Sequence, residues 1–268
     1  MRAAFTDTLR SVFDAETETI DFAAPDAADR INGWVADQTE GMIQKLVAPQ
    51  DLDRSTVLAL LNALYFEAPW RQAFDEDKTT EAAFTRPNGS TVQVPLMHRT
   101  DSLRYFSTDR ANGVDLPYGN GAFRMTLVVP EDETSAHALA TDLDARMWAR
   151  WLDGLQNREV QVRLPRFDVT GSRINLNEVL TEMGLGIIFS RGADFSGLSP
   201  RDPYVEKVLH RAAVVVDEEG TEAAAATGAI FGIRARPVVR ADRPFLFTIR
   251  EAQTGTLLFL GRIADPTA

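Results

Sequence analysis

The sequence predicts an α+β fold, on three observations. Several long segments read as strands, either alternating or continuously apolar. The helical segments between them do not follow the strict strand–helix–strand alternation of a parallel α/β sheet. The chain has 268 residues, 44% of them hydrophobic, enough to bury one large core or two modest ones.

Residues 3–13 place Phe5, Leu9, Val12 and Phe13 at helical spacing. Thr17 to Phe22 alternates as a strand. Pro25-Asp26 opens a second helix with Asp26 at its N-cap; Ile31, Trp34 and Val35 form its inner face, and it ends near Gly41. Ser55 to Phe66 is almost wholly apolar apart from Asn62, the pattern of a strand covered on both faces. Residues 82–95 form a hairpin about Asn88-Gly89; Asn88-Gly89-Ser90 is also a formal glycosylation sequon, but the turn accounts for it. Strands follow at 101–107 and 122–129, then a helix over 135–152 with Leu139, Leu143, Met147 and Trp151 inward. Glu159 to Leu164 alternates as a strand, Ile174 to Met183 reads as a helix, and His210 to Val216 as a strand. Phe245–Ile249 and Thr256–Ile263 close the chain as a hairpin around Gly255.

Charge and composition exclude several functions. The net charge of −11 and the absence of a long basic run argue against a nucleic-acid surface or an anionic membrane as partner. No apolar run is long enough to span a membrane. There is no cysteine, hence no disulfide, thiol nucleophile or thiolate metal site. Of the three histidines, His137 lies among acidic and small residues, His98 follows a hairpin strand and His210 sits in an apolar strand. None has a nucleophile at a recognisable spacing, and no GxSxG, HExxH, phosphate-loop or dinucleotide motif occurs. No cofactor and no metal are expected, and nothing supports an enzyme.

The most informative segment runs from Val214 to Gly228. A β-branched run ends at Asp217, Glu218 and Glu219; Gly220 follows, then Thr221-Glu222 and a tract of small side chains. Composition alone would allow an alanine-rich helix or a flexible linker. As a strand, the tract would turn Thr221, Ala223, Ala225 and Thr227 to one face and Glu222 to the other. Such a segment is competent both as an exposed loop and as a strand, the property of a conformational trap.

Several motifs in order carry a resemblance. These are Ile31-Asn32-Gly33-Trp34-Val35 with Thr39; Leu61-Asn62-Ala63-Leu64-Tyr65-Phe66 with Trp70 and Phe74; Leu164-Pro165-Arg166-Phe167; Gly184-Leu185 with Phe189; Ala193-Asp194-Phe195-Ser196-Gly197; the tract 217–228; Arg243-Pro244-Phe245-Leu246-Phe247; and Phe259-Leu260-Gly261-Arg262-Ile263 with Pro266. Together they resemble the serpins, the serine protease inhibitors, of bacterial type, over essentially the whole of 1–268. The resemblance implies one serpin domain: a large mixed central sheet with a mobile reactive loop at about 218–240, two further sheets and surrounding helices. The match begins inside what looks like the family's fifth helix, so the family's N-terminal helices are expected to be missing.

The resemblance also implies a mechanism and site residues. A protease attacks the loop, and the cleaved loop enters the central sheet as a new strand and traps the protease as an acyl-enzyme. Glu218, Gly220, Thr221, Ala223, Ala225 and Thr227 would be the hinge. Counting on from Glu218 as the family does puts the reactive bond at Arg234–Ala235, implying a trypsin-like target. Ile233 would instead imply a chymotrypsin-like one, and Arg236 precedes Pro237. Asn62 and His210 would meet in the sheet as a buried shutter pair. Trp70, Arg166 and Glu218 would form a breach at its top, with Glu218 and Arg166 bridged as a latch. The resemblance further implies a serine protease as partner and an extracellular location. The alternative is a non-inhibitory or degenerate serpin acting as a binding protein.

Overall fold

The computed structural model describes residues 1–52, 56, 58–131, 134–170, 173–199, 203–219 and 236–267. Five helices and twelve strands lie among them. In order they are α1 (Ala3–Phe13), α2 (Ala27–Gln38), β1 (Ala59–Phe66), β2 (Thr80–Thr85), β3 (Thr91–Ser107), β4 (Ala111–Pro117), β5 (Phe123–Pro130), α3 (Ala136–Asp142) and α4 (Ala145–Asp153), then β6 (Gln156–Pro165), β7 (Phe167–Val169), β8 (Arg173–Asn175), α5 (Asn177–Leu180), β9 (Lys207–Val216), β10 (Val238–Arg240), β11 (Phe245–Glu251) and β12 (Leu257–Ile263). The α+β class stands. The strands form a four-stranded sheet, β1-β9-β7 with β8 also on β9, and an eight-stranded sheet, β10-β6-β3-β4-β5-β11-β12 with β2 on β3. By contact density the chain divides into two units, residues 1–66 with 169–214 and residues 67–168 with 215–268.

In the first unit, β1 pairs directly with β9 in parallel, from Ala59 opposite Lys207 to Phe66 opposite Val214. One face carries Leu61, Ala63 and Tyr65, packed on a core of Ala28, Ile31, Val35, Ile43, Leu46, Val47, Leu209 and Ala213. The other face of β1 is open over its first half, where Leu60 is 53% exposed and Asn62 exposed, while Leu64 and Phe66 are half-buried. This corrects the expectation of a strand covered on both sides. The motif residues Asn32 and Thr39 hold this core's loop. Asn32 Oδ1 accepts from the Leu46 and Val47 amides at 2.8 and 2.9 Å, and Thr39 Oγ1 accepts from Ile43 N at 3.1 Å. Asp26 stands at the N-cap of α2 but makes no side-chain capping bond. The apolar residues of α1 are poorly covered too: none is fully buried, Phe5 and Leu9 are half-buried, and Val12 and Phe13 are exposed. Residues 17–22 are not a strand; Ile20 and Phe22 instead pack irregularly on the core. Ile174 belongs to β8, and the helix expected there starts only at Asn177.

In the second unit, β3 is one long strand where two were expected. Its first part pairs with β2, its middle with β6 and its last residues with β4. The β2–β3 turn is the expected Asn88-Gly89 turn, with Gly89 at φ 82° and the Ser90 amide on Asn88 Oδ1 at 3.0 Å. β4 was not among the expected strands, although Asn112-Gly113 within it has the chemistry of a turn. Here Gly113 lies opposite Phe106, and a Cβ on it would stand 2.0 Å from the ring, so the glycine makes room for an aromatic cover. The helix expected over 135–152 is broken in two. Ser135 caps α3 through Ala138 N, and Asp144 caps α4 through Met147 N at 2.6 Å, so the aspartate starts a new helix instead of continuing the old one. α3 and α4 place Leu139 and Trp151 on Phe106, Val128 and Leu246.

Candidate functional site

At the C-terminal end of β9 the chain passes to Asp217, Glu218 and Glu219, and the segment 70–79 holds all three. The Trp70 amide donates to the Glu219 carbonyl at 3.0 Å and the Phe74 amide to the Glu218 carbonyl at 2.8 Å. The Trp70 indole Nε1 donates to the Asp217 carbonyl at 2.9 Å. Trp70 is itself fixed: its ring stacks on Tyr118 at 4.2 Å and meets Phe74 edge-on at 6.1 Å. The expected hinge therefore begins on a packed aromatic platform.

The Glu218 side chain is only 2% exposed. Its Oε2 accepts from Arg166 Nε at 2.6 Å, and its Oε1 accepts from the Thr79 hydroxyl. Burial pushes the Glu218 carboxyl up, but the hydrogen bonds from Arg166 and Thr79 and the charge of Arg166 outweigh it, and the net shift is downward from the ordinary carboxylate value. Trp70, Arg166 and Glu218 thus lie in one cluster. Thr79, Phe74 and the Asp217 carbonyl join them; of these, Phe74 and Asp217 stood in motifs and Thr79 did not.

The sign of the Glu218 shift gives a test. A carboxyl whose folded pKa is depressed stabilises above its unfolded value and loses that contribution as pH falls through the folded one. Urea unfolding is therefore expected to show a larger loss of stability from neutral pH to about pH 3 in the wild type than in Glu218→Gln, by about 1 kcal/mol because Arg166 is half exposed. Equal losses would mean that the bridge contributes nothing.

Beneath this cluster lies a residue that the sequence did not mark. Arg99, on β3, is 6% exposed. Its guanidinium lies over the Phe74 ring, 4.6 Å from the centroid. None of its three nitrogens has a hydrogen-bond partner among the described residues; its nearest carboxylate is Asp101, at 3.9 Å. Burial lowers its pKa to about 10, and Asp101 only partly opposes this. A lone arginine in an alternating strand reads as outward-facing, so no sequence signal pointed inward.

In the other unit, Asn62 and His210 are register partners, with Asn62 Oδ1 2.8 Å from His210 Nδ1. The expected pair forms, but not as a buried one. Asn62 is exposed and His210 half-buried, on the same open face as Leu60. The remaining expected residues, Gly220, Thr221, Ala223, Ala225, Thr227, Arg234 and Ala235, lie outside the described residues. Among the described residues there is no cluster of three potential metal ligands, and no helix is long and apolar enough to cross a membrane.

Comparison with known proteins accords with this geometry. The family model described as Serpin (serine protease inhibitor) matches residues 1–266. A serine protease inhibitor of Cyanea capillata is 36% identical over 274 residues, covering 99% of this chain and 72% of that protein. Neuroserpin of Homo sapiens is 35% identical, covering 98% and 67%, and Serpin B6 of Macaca fascicularis is 37% identical, covering 98% and 73%. Among solved structures, native protease nexin-1 with heparin matches at a TM-score of 0.91 and 31% identity, over 99% of this chain and 73% of that one. Thyroxine-binding globulin in complex with thyroxine matches at 0.88 and 28%, over 99% and 71%. With the family model spanning nearly every residue and relatives above 30% identity across the chain, the protein belongs to the serpin family, the serine protease inhibitors.

Proposed function

We propose that this chain is a single serpin domain that inhibits serine proteases as a suicide substrate, with Arg234–Ala235 as the reactive bond and a trypsin-like enzyme as target. The observation that carries the reading is the seam between β1 and β9. These strands pair directly and in parallel over eight register positions, and β9 leads straight into the clamped hinge. A ribbon following that hinge can enter the seam as a new strand. Thr221, Ala223, Ala225 and Thr227 then face inward and Glu222 outward; a one-residue slip would bury the glutamate. Arg166–Glu218 acts as a latch on the first hinge residues and Asn62–His210 as a shutter within the seam. Arg236 is tied to Glu159 at 2.8 Å, and the carbonyl of Pro237 accepts from Gln161 N at 3.0 Å. Anchored there and followed by proline, Arg236 is a poor bait, which favours Arg234. An extracellular site of action rests on the family resemblance.

The second reading, a non-inhibitory binding protein, draws on the likeness to thyroxine-binding globulin. The small inward residues of the hinge weigh against it. The test is incubation with trypsin, followed by denaturing electrophoresis and mass mapping of the cut. The expected result is an SDS-stable complex with cleavage after Arg234, and simple cleavage without a complex in Thr221→Arg. Cleavage without a complex in both proteins supports the second reading, and cuts only elsewhere in the loop remove the Arg234 assignment.

A further inference from the structure

The second unit holds a cleft of about 500 Å³ whose lining includes Arg71, Arg104, Arg124, Asp101 and Asp115. Sheet register builds it: Arg104 lies opposite Asp115, Arg124 opposite Pro117, and Arg250 beside Arg124. The question is which of these charges are already satisfied. Asp115 is fully buried and already committed. Its Oδ1 accepts from the Thr126 hydroxyl at 2.7 Å and its Oδ2 from Arg250 at 2.6 Å. That leaves Arg104 only a long contact to Asp115, at 3.7 Å. Asp101 accepts from the Ser102 amide at 2.6 Å and shares its charge with Arg99. Arg71 donates to two neutral carbonyls, Gly119 at 3.2 Å and Asn120. Its path is cleared by Gly121, where a Cβ would stand 2.1 Å from the Arg71 NH2. The Arg124 guanidinium has no hydrogen bond or ion pair to a described residue.

Positive charge is therefore left over in this cleft, in a chain of net charge −11. We propose that Arg71, Arg104 and Arg124 form a binding site for a tetrahedral oxyanion, a phosphate or sulfate group carried as the free ion or as a small monoester. Planar guanidinium groups match such oxygens in paired hydrogen bonds and keep their charge at every physiological pH. Burial and the charges of Arg104, Arg250 and Arg71 oppose the charged form of Arg124, Asp115 favouring it. A bound anion relieves that opposition. The cleft exceeds a bare phosphate in volume, which leaves room for an ester substituent. The assignment of this site is independent of protease inhibition.

The experiment is calorimetric titration of the full chain with inorganic phosphate at neutral pH, with chloride holding the ionic strength constant. Saturable one-site binding is expected. It weakens by at least about tenfold in Arg124→Gln and in Arg71→Gln, the loss of one charge-assisted contact. Melting without phosphate shows that each variant is folded. If Arg124→Gln is not, the exposed Arg71→Gln carries the test. A parallel titration with glycerol 2-phosphate distinguishes the sources: tighter binding assigns the site to an ester, weaker binding to the free ion. Heats equal to those of chloride dilution, or unchanged affinity in both folded variants, overturn the proposal.

Discussion

Cut once after Arg234, the chain is expected to melt at least about 20 °C above its intact form. The estimate starts at the β1–β9 seam. Eight registered positions there form one parallel ladder. A strand entering between them replaces that ladder with two, so the gain is roughly one strand's worth of hydrogen bonds with its inward side chains. At about 1 kcal/mol net for each of about ten bonds, the cut form lies on the order of 10 kcal/mol lower. For a chain of this size, each kcal/mol moves the melting temperature by about 2–4 °C. Thermal melts of intact and trypsin-cut protein, followed by circular dichroism, measure the difference. Thr221→Arg should abolish it, because the inward position would have to bury an unpaired guanidinium. Equal melting temperatures for the cut and uncut wild type would mean that no energy is stored in the uncut chain.

The second large effect concerns Arg99. Replacement by Met is expected to stabilise the fold by about 1–4 kcal/mol. The guanidinium occupies a desolvated position with no hydrogen-bond partner among the described residues and a distant carboxylate, so the folded state carries its desolvation cost with little return. Methionine fills a similar volume and keeps contact with the Phe74 ring. The pH dependence has a definite sign. A cation whose folded pKa is depressed, here to about 10 from 12.5, destabilises at neutral pH, and wild-type stability recovers as pH rises through that interval. The advantage of Arg99→Met in urea unfolding should therefore shrink between about pH 8 and about pH 11. A variant clearly less stable than wild type would show that the ring and Asp101 outweigh desolvation.

Elements with one strong local signal were legible in the sequence. The Asn88-Gly89 turn, β1, β9 and the closing hairpin fall where pattern and turn chemistry agree. The misses come where two signals compete. Asn112-Gly113 has turn chemistry, yet Gly113 sits mid-strand because Phe106 needs the space of its missing side chain. Residues 135–152 have one apolar face but two caps, and Asp144 decides for a new helix. Thr17–Phe22 alternates, but core contact for Ile20 and Phe22 is reached without strand pairing. Of the candidate site, Trp70, Arg166, Glu218, Asn62 and His210 became legible through family motifs, not through composition. The open setting of Asn62 was not, because a sequence pattern names the apolar face but not what covers it. Arg99 and the arginine cleft depend on which carboxylates are already spoken for, and that is a property of three-dimensional pairing.

Trp70 has a practical use beyond anchoring the hinge. The chain has four tryptophans. Trp34 bonds to Glu16, and Trp148 and Trp151 pack against each other on α4. Trp70 alone donates its indole N–H to a hinge carbonyl while lying flat on Tyr118. Release of the proposed hinge would change the polarity around one chromophore and leave the other three as an internal reference, so native emission offers a label-free optical gauge of the proposed loop movement.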